Sequence, residues 1–292
     1  MSRFVMDQNY FRDADLQRRL ENATEDDEFA MTDYAFIEMF KSPEWELTSR
    51  QSLAAIATHP ERIITYRPPS DVLRSELTTR TPTVEWNSLV DAPLTERMRE
   101  YLRELAEVGQ SGPRHSIVSS MIAAAQSGIA VQQQNHEVNL QLLQNGVRTH
   151  QELLQGPTLD DLRAGRMPDR TRIQLAIRIA TVSARTLLLE DGATELQAND
   201  FLASDSFLLR SQVSFCLLVI DKVSHGGING MRPDRATNEL MDIDYALFGS
   251  YCDGVLTREA TVTRHHELLM LAVSLIRRDD DASVICGDEG TQ

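Results

Sequence analysis

The sequence predicts a mixed α/β protein whose parallel sheet is built from both ends of the chain, with a long helical segment between them. Short apolar or β-branched runs at residues 3–7, 61–66 and 254–257 are typical of buried strands. Helical periodicity separates these runs, and strands that alternate with helices usually pair in parallel. From about residue 70 to 225 the pattern is helical, and strand signals are scarce.

Each end of the chain supplies its own strands and helices. After the first strand, the amino-terminal end predicts helices at 10–21, 33–41 and 49–58, with an acidic turn at 24–28. His59-Pro60 ends the third of these helices, because the residue before proline avoids helical dihedral angles. The carboxyl-terminal end predicts helices near 236–251 and 261–278, and a last strand at 282–286 after three aspartates.

The simplest organisation joins both ends into one domain. Residues 1–70 and 226–292 then form the α/β core, and residues 71–225 form an all-helical insertion. Two independent domains are the alternative, but neither end alone has enough strands for a stable sheet. The insertion contains an amphipathic helix at 170–190 and a helix ending near 223 whose second half is apolar. This surplus of apolar surface predicts an association surface, and with it a homodimer.

Composition places the chain among ordinary globular proteins. Its 292 residues are 41% hydrophobic and 25% charged, which is enough apolar material to bury a core. The formal net charge of −15 argues against coating of nucleic acid by a broadly basic surface. Metal ions and a local basic patch can replace that global charge, so a nuclease is not excluded.

The cysteines and the hydropathy pattern predict a cytoplasmic protein without a membrane partner. Cys216, Cys252 and Cys286 lie far apart and show no zinc-site spacing, which favours reduced thiols. No stretch holds 18 consecutive apolar residues, so the sequence predicts no transmembrane helix. The first residues reach an acid at Asp7, too early for a signal peptide.

Acidic residues at a few separated positions carry the functional prediction. Asp7 and Glu259 each follow a predicted strand, Glu38 lies on an early helix, and Asp242 and Asp244 lie on a late helix. Open α/β sheets bind ligands at the carboxyl edge of their strands. Carboxylates gathered there repel one another, and a hard cation such as Mg²⁺ or Mn²⁺ relieves that repulsion.

This arrangement resembles the PIN-domain ribonucleases. In that family an aspartate ends the first strand, an acid lies on an early helix, an aspartate opens a late helix, and Thr-x-Asp follows a late strand. The matching stretches, in the same order, are Val5-Met6-Asp7-Gln8-Asn9, Phe36-Ile37-Glu38, Asp242-Ile243-Asp244-Tyr245-Ala246 and Val255-Leu256-Thr257-Arg258-Glu259. The resemblance covers the two ends, about half of the chain. Glu259 departs from the pattern, since the family has aspartate there.

The resemblance implies a PIN-like α/β/α sandwich with a central parallel sheet and a metal-dependent nuclease site. The acids Asp7, Glu38, Asp242, Asp244 and Glu259 are its catalytic candidates, and all except Asp244 are candidate ligands of Mg²⁺ or Mn²⁺. Asp242 and Asp244 compete for one role, and Asn238 one turn earlier favours Asp242. The longer side chain of Glu259 could reshape or weaken the site.

Polar and basic residues near these acids complete the predicted site. Those expected to support the ligands are Asn9, Asn238, Asp253 and Thr257. Arginine suits bidentate contact with phosphate, and the arginines close to the acids are Arg232, Arg235 and Arg258. Salt bridges with the abundant acids are the equal alternative for these three. Asp253 has a second interpretation as a cap of the turn before the late strand.

Three functional hypotheses follow. The first is a metal-dependent nuclease acting on RNA, or alternatively DNA, with the helical insertion beside the active-site edge. The second is a PIN-fold interaction or regulatory module without catalysis, which the Glu259 departure and the net charge of −15 favour. The third is an all-helical regulator or oligomerisation protein in which the predicted strands do not form. The resemblance also raises an antitoxin-like protein as a partner.

Overall fold

The computed structural model describes residues 1–41, 44–107 and 116–285. Within these residues the fold is mostly helical and contains one small parallel sheet. The predicted mixed α/β class is therefore confirmed, and the all-helical hypothesis is wrong.

Four strands form the sheet, and both ends of the chain contribute to it. The strands are β1 (Arg3–Met6), β2 (Glu28–Met31), β3 (Ile63–Thr65) and β4 (Val255–Leu256). Their order across the sheet is β3-β2-β1-β4, and every neighbouring pair is parallel. Met6 pairs with Met31 on one side and with Leu256 on the other. The residues that follow these three strands therefore meet at one edge of the sheet.

Twelve α-helices lie in the described residues. They are α1 (Ala14–Asn22), α2 (Asp33–Glu38), α3 (Trp45–Ala57), α4 (Pro69–Thr79), α5 (Ala92–Glu107), α6 (Ser116–Leu153), α7 (Pro157–Arg163), α8 (Asp169–Glu190), α9 (Glu195–Leu202), α10 (Phe207–Ser224), α11 (Pro233–Gly249) and α12 (Ala260–Ile285). The helix α11 packs against β1, β4, α6 and α12, and α10 packs against α6, α8 and α12. Most of the buried apolar residues form one continuous core, and a small second cluster lies beside it.

Two strand predictions differ from the structure. The second strand, β2, was not predicted, because the acids before Phe29-Ala30-Met31 indicate a turn and the three residues are too few to show alternation. The last strand, predicted at 282–286, is wrong. Residues 282–285 continue α12, and Cys286 lies outside the described residues. Three aspartates do not end a helix by themselves, and no Gly or Pro occurs between Ala260 and Gly287.

The described residues between 71 and 225 contain helices and no named strand. The helix predicted near 199–223 is divided into α9 and α10, because the Ser206 side chain accepts a hydrogen bond from the Leu209 amide and starts a new helix. The division of the chain into a core and an insertion stays a prediction, as does the homodimer.

Two contacts fix the end of α11 beside β4. A Cβ atom at Gly249 would collide with the Val255 side chain, so glycine permits the close approach of the helix to the strand. The buried guanidinium of Arg210 donates to the Ser250 carbonyl oxygen at 2.6 Å and pairs with Asp205. That bond satisfies a carbonyl at the helix end, where no backbone partner is left. The end of α11 is thereby held against both β4 and α10.

No single helix in the described part of the chain is long and apolar enough to cross a membrane. The pair α9 and α10, bent by 75° at their junction, meets the length and composition criteria together.

Candidate functional site

Four of the predicted acids line one cavity at the carboxyl edge of the sheet. This acidic cavity has a volume of about 480 Å³. Its carboxylates are Asp7 after β1, Glu38 at the end of α2, Asp242 on α11 and Glu259 between β4 and α12. The order of the strands explains why these carboxylates lie together. The central strand β1 has β4 on one side and β2 on the other, and β2 leads into α2.

Asp7 is held by two side-chain donors. The residue is 4% exposed, and its Oδ2 atom accepts hydrogen bonds from the Thr257 hydroxyl at 2.6 Å and the Asn9 amide at 2.7 Å. The Asp7 backbone amide donates to the Leu256 carbonyl oxygen at 3.0 Å, which extends the β1–β4 pairing to this position. The predicted supporting roles of Asn9 and Thr257 fit these contacts.

Asn9 also ties Asp7 to the other end of the chain. The same amide nitrogen donates to Oε1 of Glu259 at 3.1 Å, and the Asn9 Oδ1 atom accepts from the Arg258 backbone amide at 3.0 Å. The Glu259 backbone amide donates to the Thr257 hydroxyl oxygen at 3.0 Å. One short polar network therefore positions both strand-end carboxylates.

The helices α2 and α11 bring the other two carboxylates to the cavity. Thr32 caps α2 by accepting from the Ala35 amide at 3.2 Å, so this short helix begins directly at the end of β2. The Oε1 atom of Glu38 lies 3.4 Å from the Nζ atom of Lys41. On α11, Asp242 shares one face with residues three, four and seven positions earlier, which are Glu239, Asn238 and Arg235.

Burial and mutual repulsion change the pKa values of the carboxyls in the acidic cavity. Burial raises the pKa of Asp242 to about 7, with further increases from the charges of Glu259, Asp7 and other acids. Burial also raises the pKa of Glu38, which Lys41 partly offsets. Burial raises the pKa of Asp7 against the lowering effect of the hydrogen bond from Thr257. The cavity therefore disfavours full ionisation of its acids unless a cation compensates them.

The donor atoms suit a hard divalent cation, but the arrangement is open. Carboxylate oxygens are the ligands that Mg²⁺ and Mn²⁺ prefer. Within residues 1–41, 44–107 and 116–285, however, no three Asp, Glu, His or Cys side chains are grouped so that they could hold one metal ion as they stand. Uncompensated carboxylates repel each other, and a bound cation would have to draw them together.

Two predicted acids lie elsewhere. Asp244 lines a different and larger cavity, since two residues along a helix turn a side chain by about 200° relative to Asp242. Asp253 accepts a hydrogen bond from the Arg3 backbone amide at 2.7 Å, and Arg3 is the first residue of β1. Asp253 is therefore at the opposite edge of the sheet from Asp7, where it supports the turn before β4.

The three predicted phosphate-binding arginines are not equivalent. Arg235 lines the acidic cavity, and its guanidinium lies 3.6 Å from Glu239. Arg232 does not line it and pairs with Asp234 at 3.0 Å. Arg258 gives its backbone amide to Asn9, but its guanidinium pairs with Asp13. Of these three arginines, Arg235 alone is placed to contact a ligand in the cavity.

Sequence reasoning missed an ion pair in the cavity wall. Lys222, at the end of α10, lies 2.6 Å from Glu239, and both residues line the acidic cavity. Glu239 could have been found from its spacing to Asp242, which puts both on one helical face. Lys222 has no such signal, because its position depends on how α10 packs against α11.

Comparison of the chain with models of protein families, with curated proteins and with solved structures found no match.

Proposed function

We propose that the protein is a PIN-like, metal-dependent nuclease that hydrolyses phosphodiester bonds, with RNA as its substrate and DNA as the alternative. The observation that carries the proposal is the meeting of Asp7, Glu38, Asp242 and Glu259 around one cavity at the carboxyl edge of a parallel sheet. The finer fold assignment, a PIN-like α/β/α sandwich, belongs to the same proposal.

In this proposal the four carboxylates hold Mg²⁺ or Mn²⁺. The bound cation would supply a water of lowered pKa and stabilise negative charge on the phosphoryl oxygens. Thr257 and Asn9 orient Asp7, and Asn9 also holds Glu259. Second partners of this kind fix ligand geometry and tune affinity in metal sites.

The basic residues of the cavity wall give a polyanion a local place to bind. Arg235 and Lys222 face the cavity beside Glu239. A phosphate group would compete with Glu239 for both side chains, and arginine provides the bidentate geometry that phosphate favours. A net charge of −15 disfavours binding of a polyanion to the surface as a whole, and these two basic residues would bind it locally.

The test is cleavage of single-stranded RNA and DNA by the full chain in Mg²⁺ or Mn²⁺. We expect the wild type to cleave and Asp7→Asn to lose cleavage while keeping its fold, because relief of carboxylate repulsion does not destabilise the empty site. The matched control is Asp160→Asn, an exposed acid on α7, which should cleave as the wild type does.

A second candidate function is an interaction or regulatory module with the same fold but without catalysis. The observation that favours it is the open arrangement of the acids, none of which forms a three-ligand group within the described ranges. If the highly purified protein cleaves neither nucleic acid with either ion, this second function replaces the first.

A further inference from the structure

A second, larger cavity lies on the other side of α2 and α11 from the acidic cavity. This apolar cavity has a volume of about 960 Å³, within the range typical of small-molecule sites. Its walls come from α2, α4, α6, α8, α10 and α11. At its rim, Val131, Leu142, Val182 and Leu187 leave large apolar side chains exposed. Exposed apolar side chains grouped around one opening are a feature of ligand and partner sites.

Two carboxyls lie in the wall of this cavity without a compensating cation. They are Asp33, the first residue of α2, and Asp244 on α11. No Lys, Arg or His lines the cavity in the described part of the chain. Burial raises the pKa of Asp33 to about 6, although backbone hydrogen bonds at Asp33 and Tyr34 lower it and the charge of Asp71 raises it. Burial also raises the pKa of Asp244 well above its usual value, with a further increase from the charge of Asp33. Without a cation the cavity favours the neutral form of both half-buried acids, and a bound cation would favour their charged form.

A third acceptor belongs to a buried amide. Gln132 is 7% exposed and lines the same cavity. Its Nε2 atom donates to the Met241 sulfur at 3.0 Å, while its Oε1 atom has no hydrogen-bond partner. Buried polar side chains are usually satisfied, so this oxygen is unusual. The cavity therefore offers Asp33, Asp244 and Gln132 as acceptors, and a ligand that brings donors would satisfy them.

We infer that the apolar cavity binds an organic cation, a protonated amine carried on an apolar body, with its ammonium group at Asp33 and Asp244. An ammonium provides three donors and no acceptor, which matches a wall that presents acceptors. The apolar body fills the space lined by Ile37, Phe215 and Leu247 and reaches the rim. The inference does not depend on the proposed nuclease activity, because it uses a different cavity and different side chains.

The test uses a fluorescent amine and its uncharged analogue. Monodansylcadaverine joins a primary ammonium to an apolar fluorophore that brightens when buried, and N-acetylation removes the charge while keeping the body. We expect the full chain at pH 7.5 to bind the amine at least tenfold more tightly than the acetylated compound, because hydrogen bonds to charged groups are the stronger ones. Equal affinity for the two compounds, or no binding of the amine, overturns the inference.

Three variants assign the binding to the cavity. Asp244→Asn and Asp33→Asn should each reduce affinity for the amine about tenfold, and the double variant should bind both compounds alike. The matched control is Asp71→Asn, which alters an acid close to Asp33 that pairs with Arg74 and does not line the cavity. Unchanged amine affinity in the double variant, or an equal loss in Asp71→Asn, contradicts the assigned position.

Discussion

The Thr257 hydroxyl donates a hydrogen bond to the Oδ2 atom of Asp7 at 2.6 Å, although 250 residues of chain separate the two. Both residues directly follow strands that pair with each other, β1 and β4. The contact is therefore a consequence of strand register, and its removal would leave a buried carboxylate with one donor fewer. The proposed metal site depends on this pairing as much as on the acids themselves.

Thr257→Val should weaken metal binding without removing a ligand. Loss of a partner that orients a metal ligand typically lowers metal affinity by about 10–100-fold. We expect the rise in melting temperature caused by Mn²⁺ to shrink, since stabilisation by a ligand follows its affinity. The control is Thr263→Val, which removes a hydroxyl that bonds only the Glu259 carbonyl oxygen. Wild-type Mn²⁺ affinity in Thr257→Val would contradict the orienting role.

Asp242→Asn should stabilise the metal-free protein at high pH. The pKa of Asp242 is about 7 in the folded protein and 3.8 in the reference state, so the folded state binds more protons between these values. Stability therefore falls as pH rises from about 4 to 7. The Asn side chain carries no charge, so Asp242→Asn should raise the free energy of unfolding at pH 8 by roughly 1–3 kcal/mol. This range allows for solvent screening of the exposed part of the Asp242 carboxyl.

Thermal unfolding in the presence of a chelator measures this effect. The difference between Asp242→Asn and the wild type should be largest at pH 8 and should disappear as pH approaches 4. Asp160→Asn, which removes an exposed acid on α7 outside the cavity, is the matched control. A constant difference across the pH range would mean that the substitution acts through packing or hydrogen bonding.

Glu259→Asp should retain or increase nuclease activity. Glu259 stands where the family that the sequence resembles has aspartate. The variant keeps a carboxylate at this position on a side chain that is one methylene shorter. Glu259→Gln should lower activity, because it keeps the length and the contact with Asn9 but removes the charge. Single-turnover cleavage of RNA under saturating Mn²⁺ compares the two variants. Higher activity in Glu259→Gln than in Glu259→Asp would exclude a ligand role for this residue.

Arg235→Gln should weaken RNA binding, whereas Arg232→Gln should not. Only Arg235 lines the acidic cavity, and Arg232 pairs with Asp234 outside it. Loss of one phosphate contact should reduce the slope of log K against log salt by about 1. Binding is measured in Ca²⁺ over a salt series, so that cleavage does not interfere. Equal slopes for the two variants would remove Arg235 from the RNA-binding surface.

The strand ends were predictable, and the helix faces were only partly so. Val5-Met6-Asp7 and Val255-Leu256-Thr257 show the apolar run and the polar stop that mark the carboxyl end of a buried strand. β2 was not predicted, because Glu28–Met31 is short and follows a run of acidic residues that is typical of a turn. Its position matters, since β2 delivers α2 and therefore Glu38 to the cavity.

Asp242 and Asp244 show why the remaining site residues could not be assigned from sequence. Their separation places them on opposite faces of α11, but the sequence does not fix which face meets the sheet. That choice depends on packing of α11 against α6 and α12. Lys222 was missed for the same reason, because its contact with Glu239 joins two helices that sequence spacing cannot relate.

The placement of β4 beside β1 also determines when the proposed active site can exist during synthesis on the ribosome. A nascent chain that ends at residue 225 already contains Asp7 and Glu38 but has neither α11 nor β4. It lacks two of the four carboxylates, Asp242 and Glu259, and the threonine that orients Asp7. If the proposed nuclease activity is correct, a nascent chain cannot cleave RNA before α11 and β4 have been synthesised.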